Sequence, residues 1–424
     1  MENTNIIKSG SSDVRSYLER YDRQTHRLAQ MINKPDTTTG LEHTPSEIAQ
    51  QPLLWRKTVS IIRELLPDLR KFLKDSGVCS ANSRSHIILT GAGTSDYVGL
   101  SLADLFRINF RTSCSNFATT RITASPEDYL SLDHHYLIVH FARSGNSPES
   151  RAVLELALRK YPDNTRHIVI TCNSDGVLAK TARANPDKVF LILLPEESND
   201  KGLAMTSSFS SMITAGQALV NLDNFDEFEV LIDKVASSAE FFIETYADKI
   251  CEMAEPTLTR AFYLGNKDLL GAANESALKV QELTVGHLIA KAEDTLTFRH
   301  GPISAVDPNT LVCFFLSEDP FTYRYELDVV EQYYRAFEEM GAKLVLVGSG
   351  NHSEIGYPPV CNLNYDPEHR WNIPFHYQVN ISVIFGQLFG LFAATRRGIN
   401  VDNPSIQNAL YSRTVQGVRL YERK

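Results

Sequence analysis

Three charged residues in the segment NESALKVQELTVGH, Glu275, Lys279 and Glu282, fall at i, i+4 and i+7 and so share one face of a helix. From spacing alone such a row reads as a solvated ion-pair ladder. The neighbours Ala277, Leu278, Val280 and Leu283, however, leave little polar face, so this helix is expected to be substantially buried. A carboxylate there must be paired or carry a raised pKa, and a raised pKa suits a general base. The pattern predicts one helix beginning near Leu270 and running through NESALKVQELTVGHLIAKAEDTLTFRHGP to a stop at Gly301–Pro302. His300 stands just before that stop, its imidazole held on a rigid turn. A lone histidine is more often structural than catalytic, so His300 is a weak signal by itself.

A second chemistry is written in two short loops, GAGTS (91–95) and RSGNS (143–147). Glycines let a backbone approach an anion, and hydroxyls and N–H groups at a helix N-terminus donate to phosphate oxygens. Gly93, Thr94, Ser95, Ser144 and Ser147 supply these groups, and Arg143 offers a direct cation. Ser147 before Pro148–Glu149 is also a good N-cap, which for any one serine is the simpler reading. GAGTSD lacks the third glycine of a dinucleotide fingerprint, and no GK[ST] of a P-loop is present. Lys201 in SNDKGLAMTSS is a further candidate cation, although a lysine in such a loop is more often solvated. The pair His134–His135 has no ligand-like neighbours, and no metal-ligand spacing occurs, so neither metal nor organic cofactor is expected.

These loops are carried by apolar runs alternating with helical patterns: HIILTG (86–91), YLIVHFA (136–142), HIVITC (167–172) and KVFLILL (188–194). The alternation implies a parallel sheet covered by helices on both faces. The pattern then repeats. Gly91 to Gly265 is an offset of 174, Ala142 to Ser317 of 175 and His167 to Lys343 of 176, which points to duplication. The expected fold class is therefore α/β: two homologous domains, each a parallel sheet flanked by helices, with a helical N-terminal arm. Expected boundaries are an extension and arm at 1–80, a first domain at 81–225, a helical linker at 226–254, a second domain at 255–397 and a tail at 398–424. In the arm, TPSEIAQQPLLWRK starts a helix with Thr44 as cap, Pro45 at the first position and Glu47 three after the cap, continuing to about Leu73. The second copy reads GNKDL and SEDPF where the first has its Gly- and Ser-rich loops. Those carboxylates would repel phosphate, so the anion site is assigned to the first copy.

The chain has 424 residues, too many for one ordinary core and enough for two domains with extensions. A formal charge of −9 argues against a nucleic-acid partner. Six scattered cysteines without a CxxC pair suit a reduced compartment, and the polar N-terminus lacks a signal-peptide core, so a cytoplasmic location is expected. The most apolar stretch, Ile381 to Ala394, is short for a membrane span and reads as a buried helix.

With these residues in place, the sequence resembles tandem sugar-isomerase (SIS) domain enzymes over roughly 45–424, most of all the AgaS type of galactosamine-6-phosphate deaminase and tagatose-6-phosphate ketose/aldose isomerase. PEESNDKGLAMTSSFSSM (195–212) and NVDNPS (400–405) are the most specific pointers, alongside GAGTS, ARSGNSPES and the Glu275–His300 segment. The isomerase half of glucosamine-6-phosphate synthase is a more distant relative, and no N-terminal cysteine glutaminase domain is found. The resemblance implies that Glu282 shuttles a proton between C2 and C1, and that His300 opens the sugar ring from a neighbouring subunit, in a homodimer or larger assembly. It implies support from Lys279 and Glu275, phosphate contacts from Gly93, Thr94, Ser95, Arg143, Ser144 and Ser147, and sugar contacts from Leu203 to Thr206 and Ser207. The synthase carries a catalytic lysine in its tail, whereas NALYSRTVQG (408–417) has none; Tyr411 and Arg413 are nearby without an assigned role. The implied reaction is deamination of an amino-sugar 6-phosphate. A plain aldose–ketose isomerase and a non-catalytic sugar-phosphate sensor stand as alternatives, the sensor disfavoured because Glu282 and His300 are both retained.

Overall fold

The computed structural model describes residues 10–77, 85–349, 361–404 and 418–421. An N-terminal arm of helices α1 (Gly10–Leu18), α2 (Arg27–Asn33), α3 (Thr44–Ala49) and α4 (Gln51–Asp75) leads into the first half. There the order is β1 (Ser85–Thr90), α5 (Thr94–Phe110), β2 (Ser113–Asn116), α6 (Thr119–Ala124), β3 (His135–Ala142), α7 (Pro148–Lys160), β4 (Thr165–Thr171), α8 (Val177–Ala184), β5 (Val189–Leu193) and α9 (Ser207–Leu219). The long α10 (Phe225–Met253) precedes the second half: β6 (Arg260–Leu264), α11 (Asp268–Leu283), β7 (Ile289–Glu293), β8 (Thr310–Phe315), α12 (Pro320–Met340), β9 (Lys343–Gly348), β10 (Cys361–Asn364) and α13 (Val379–Arg396).

Each half forms a parallel five-stranded sheet, ordered β2-β1-β3-β4-β5 and β7-β6-β8-β9-β10. The two orders superimpose strand for strand, which is what the constant sequence offset anticipates. The register sets Ile88 opposite Ile138 in the first sheet and Tyr263 opposite Cys313 in the second. Strands apolar on both faces need helices on both sides. The central helices supply them: every residue of α9 is buried, as are sixteen consecutive residues of α13, from Val379 to Ala394. Among the described residues α13 is the one helix long and apolar enough to cross a membrane, and 89% of it lies inside the protein. The helix expected as a linker, α10, packs between α4 and α13 as part of the shared core.

Two expectations need correction. The predicted helix from Leu270 towards Gly301 ends at Leu283. Val285 (φ 51°) and Gly286 (φ 74°) turn the chain, and Ile289–Glu293 becomes the edge strand β7 paired with β6. The apolar run LIAKA fits either period, and the turn decides it. Thr44 is also not a cap. It is the first residue of α3, with His43 before it, and the predicted continuous helix breaks at Gln50. The capping oxygen comes instead from Asp402, far along the chain, which accepts from the N–H groups of Glu42, His43 and Thr44 at 2.8, 2.9 and 2.8 Å.

Candidate active site

Helix α11 lies between α5 of the first half and α13, and glycines permit the close approach. A Cβ on Gly271 would stand 1.9 Å from Ser101 Oγ of α5, and one on Gly386 of α13 would stand 2.3 Å from Ser276 of α11. The row Glu275, Lys279 and Glu282 is thereby sealed from solvent at one end. Side-chain exposures of 0% for Glu275, 1% for Lys279 and 13% for Glu282 exclude a surface ladder and leave Glu282 as the member that reaches the open side.

Lys279 joins the two halves. Its Nζ lies 2.5 Å from Glu282 Oε2, 3.4 Å from Glu275 Oε1 and 3.1 Å from Thr94 Oγ1, at the first turn of α5. A buried ammonium needs compensating charge, which Glu282 supplies. Burial pushes the Glu275 carboxyl up to about 8, the nearby Lys279 only partly offsetting it, so at neutral pH Glu275 holds a proton. Half-buried Tyr97, one turn beyond Thr94, lies within the field of all three groups. Burial chiefly, and the carboxylates next, raise its phenol above the usual range.

The first Gly-rich loop leaves β1 with Gly91, where a Cβ would stand 2.3 Å from Ser95 O. It continues through Gly93 at φ 57° and ψ −126° into α5. Thr94 and Ser95 are buried at that helix start. The second loop leaves β3. Ser147 caps α7 by accepting from Ser150 N at 3.3 Å, and its hydroxyl donates to Ser150 Oγ at 2.7 Å. Ser144 Oγ accepts from Asn146 N at 3.3 Å, and Gly145 takes φ 62°. Arg143 is 8% exposed and donates to Leu203 O at 3.4 Å. Both loops sit where β1 and β3 end, at the switch point of the sheet.

Not every expected contact points there. Thr206 and Ser207 are fully buried, with the Thr206 hydroxyl donating to Asp200 and the Ser207 hydroxyl to Glu47 O. These bonds build the loop before α9. Lys201 is solvent-exposed. His300 is exposed on a 3-10 turn, Thr297–His300, and among the described residues no hydrogen bond links it to the Lys279 cluster. Tyr411 and Arg413 lie outside the described residues.

Several groups escaped the sequence reading. Asn173 Nδ2 donates to Ser144 O at 2.8 Å, and the Thr171 hydroxyl donates to Arg143 O at 3.2 Å, so the end of β4 braces the Arg143 loop. Their place at a third strand end was the available signal. In the second half the two equivalent loops are bridged by an ion pair, Lys267 to Asp319 at 2.6 Å.

Two parallel sheets of one topology, anion-type loops in the first and an acid–base row on a helix of the second, define a double SIS-domain protein. The SIS domain model matches residues 81–222. The chain is 34% identical over 384 residues to D-galactosamine-6-phosphate deaminase AgaS from Escherichia coli, covering 89% of this chain and 95% of that protein. The AgaS protein of a Shewanella species, of the same name, is 33% identical over 393 residues, covering 91% and 93%. The crystal structure of tagatose-6-phosphate ketose/aldose isomerase from Escherichia coli superposes with a TM-score of 0.78 at 32% identity, covering 89% of this chain and 96% of that one. The chain belongs to the AgaS family of SIS-domain proteins. At 17% identity and a TM-score of 0.67, the C-terminal domain of glucosamine-fructose-6-phosphate aminotransferase from Francisella tularensis shares the fold.

Proposed function

We propose that this protein is an amino-sugar 6-phosphate deaminase/isomerase that converts galactosamine 6-phosphate to tagatose 6-phosphate and ammonia. The observation that carries the reading is Lys279, bonded at once to Glu282 of the acid–base row and to Thr94 of the anion loop, so that reacting carbons and phosphate are addressed by one rigid unit. The phosphate lies against Gly93, Thr94, Ser95, Ser144 and Ser147, with Arg143 as cation. His300 of a neighbouring subunit assists ring opening, giving the C1 aldehyde. Glu282 takes the proton from C2 while the aldehyde oxygen gains one, forming an enolamine. Returning the proton to C1 makes the C2 ketimine. Water adds at C2 and ammonia leaves, yielding the ketose. Lys279, 2.5 Å from Glu282 Oε2, holds that side chain in place before abstraction.

The five described cysteines are unpaired, which fits the cytoplasmic setting we assign. The test is incubation with galactosamine 6-phosphate, measuring ammonia and tagatose 6-phosphate, with Glu282→Gln as control. Equal yields of both products, abolished by the substitution, are expected. Interconversion of tagatose 6-phosphate with an aldose but no ammonia would move the assignment to a plain isomerase. Saturable sugar-phosphate binding without either product would make the protein a sensor.

A further inference from the structure

The two segments most specific to the family, SNDKGLAMTSS before α9 and NVDNPS near the C-terminus, are interlocked in the structure with TPSE of the arm. Asp402 is the hub. Besides accepting from the backbone N–H groups of Glu42, His43 and Thr44 at the entry to α3, its Oδ1 accepts from the Thr44 hydroxyl at 2.7 Å, its N–H donates to Gly40 O at 2.8 Å, and its carbonyl accepts from Leu203 N at 2.9 Å. Glu47, one turn along α3, accepts from the N–H groups of Lys201 and Gly202. Asp200 folds back on the start of α9, accepting from Thr206 N, Ser207 N and Ser208 N at 2.9, 2.9 and 3.0 Å. The fit leaves no slack: a Cβ on Gly202 would stand 2.6 Å from Thr44 Oγ1 and 3.0 Å from Glu47 Oε2.

One residue then links this clamp to the site. Leu203 gives its N–H to Asp402 and presents its carbonyl to the Arg143 guanidinium. We infer that Asp402 is a positioning residue for substrate phosphate: it fixes the loop 201–206, and through Leu203 O it fixes the place of Arg143. The inference rests on the proposed reading of Arg143 as a phosphate contact. Arg143 touches the anion; Asp402 acts only through the loop, so its loss weakens ground-state binding and leaves the chemistry on Glu282 unchanged.

The test uses the full chain with Asp402→Ala, Asp402→Asn and the milder Thr44→Val, which removes one hydroxyl and keeps the backbone bonds. Steady-state kinetics with galactosamine 6-phosphate, calorimetric titration with inorganic phosphate, and amide exchange of residues 201–203 are measured together. Asp402→Ala is expected to speed that exchange, to raise KM and weaken phosphate binding about tenfold, and to leave kcat within about twofold; Thr44→Val follows in the same direction with a smaller shift. Unchanged KM and phosphate affinity in both variants, or a fall in kcat with KM unchanged, would overturn the inference. A wild-type protein that binds phosphate in an Asp402-dependent way without turning over the sugar would sink the deaminase reading and leave the positioning role standing. A wild type that turns over the sugar without binding phosphate would overturn the positioning role and leave the deaminase reading standing.

Discussion

Lys267 of the second half holds the backbone conformation of Gly93 in the first, φ 49° and ψ −126° against φ 57° and ψ −126°. The turn has outlived the divergence of the two copies, and its glycine has not. Lys267 places Nζ 2.6 Å from Asp319, the N-cap of α12, where Ser147 caps α7 in the first half. The Lys267 ammonium beside it, bonded to the carboxylate, holds Asp319 down at about 2. An internal ion pair therefore bridges the two loops of the second half, where the first half has the uncharged Gly93 and Ser147 that we propose as phosphate contacts. Exchanging both partners, Lys267→Gly with Asp319→Ser, is expected to raise inorganic phosphate bound per chain from one to two in equilibrium dialysis. Lys267→Gly alone relieves a positive-φ side chain worth about 1 kcal/mol or more and loses a half-exposed pair worth less than about 1 kcal/mol. It should leave the melting temperature equal or higher; a clear drop would contradict the assignment of strain at this turn.

The buried carboxyls give the protein an alkaline liability. Burial, the first cause in each case, pushes Glu275 and Glu47 up to about 8 and Glu326 up to about 7. An acid whose folded pKa lies above its unfolded value near 4.5 favours the fold while protonated, and that contribution is lost as pH rises towards the folded value. Denaturant midpoints should therefore fall between about pH 5 and 9, and Glu275→Gln should flatten part of that slope. Because Gln copies the neutral form, the variant should keep turnover within about tenfold at pH 7, where Glu282→Gln abolishes it. A Glu275→Gln protein as inactive as Glu282→Gln would show that Glu275 works as a carboxylate.

Close helix packing sets the site geometry, so small additions to it should cost both stability and activity. Gly271→Ala forces its methyl onto Ser101 of α5, and Gly386→Ala onto Ser276 of α11. Overpacking of this kind costs about 1–3 kcal/mol and displaces α11, on which Glu275, Lys279 and Glu282 ride. Gly390→Ala meets the end of a flexible Leu283 side chain at 3.0 Å and should be milder. Melting temperature and kcat measured on the three variants should fall in that order, with Gly390→Ala nearest the wild type.

Much of this was legible because its signals are periodic or local. Strands β1, β3, β4, β6, β8 and β9 are continuous apolar runs, and their spacing exposes the duplication. The Gly- and Ser-rich loops and the Glu275 row carry their chemistry in residue types at fixed separations. Edge strands β2 and β7 were missed because SCSN and IAKAE pair on one side only and lack a fully apolar pattern. The Thr44 cap failed for another reason. Thr-Pro-Ser-Glu is a sound local start signal, yet the oxygen that satisfies those N–H groups belongs to Asp402, 358 residues away, and no local rule reports such a partner. The bond from the Ser207 hydroxyl to Glu47 O, 160 residues away, is equally invisible to any local rule.

The shared-site reading makes a prediction that separates it from a self-contained subunit. His300 is exposed on its turn, whereas Glu282 is largely enclosed by its own chain. If the imidazole serves a neighbour, each active site draws Glu282 from one chain and His300 from another. Glu282→Gln and His300→Ala homo-oligomers should then both be inactive. Co-expressing the two variants with different affinity tags and isolating the mixed species should restore activity, because one of the sites formed is wild type at both positions. For a dimer, random mixing at equal expression returns about a quarter of wild-type turnover: half of the dimers are mixed, and each carries one intact site. Mixed assemblies as inactive as their parents would place His300 in the service of its own chain. Full activity in the His300→Ala parent would remove it from ring opening altogether.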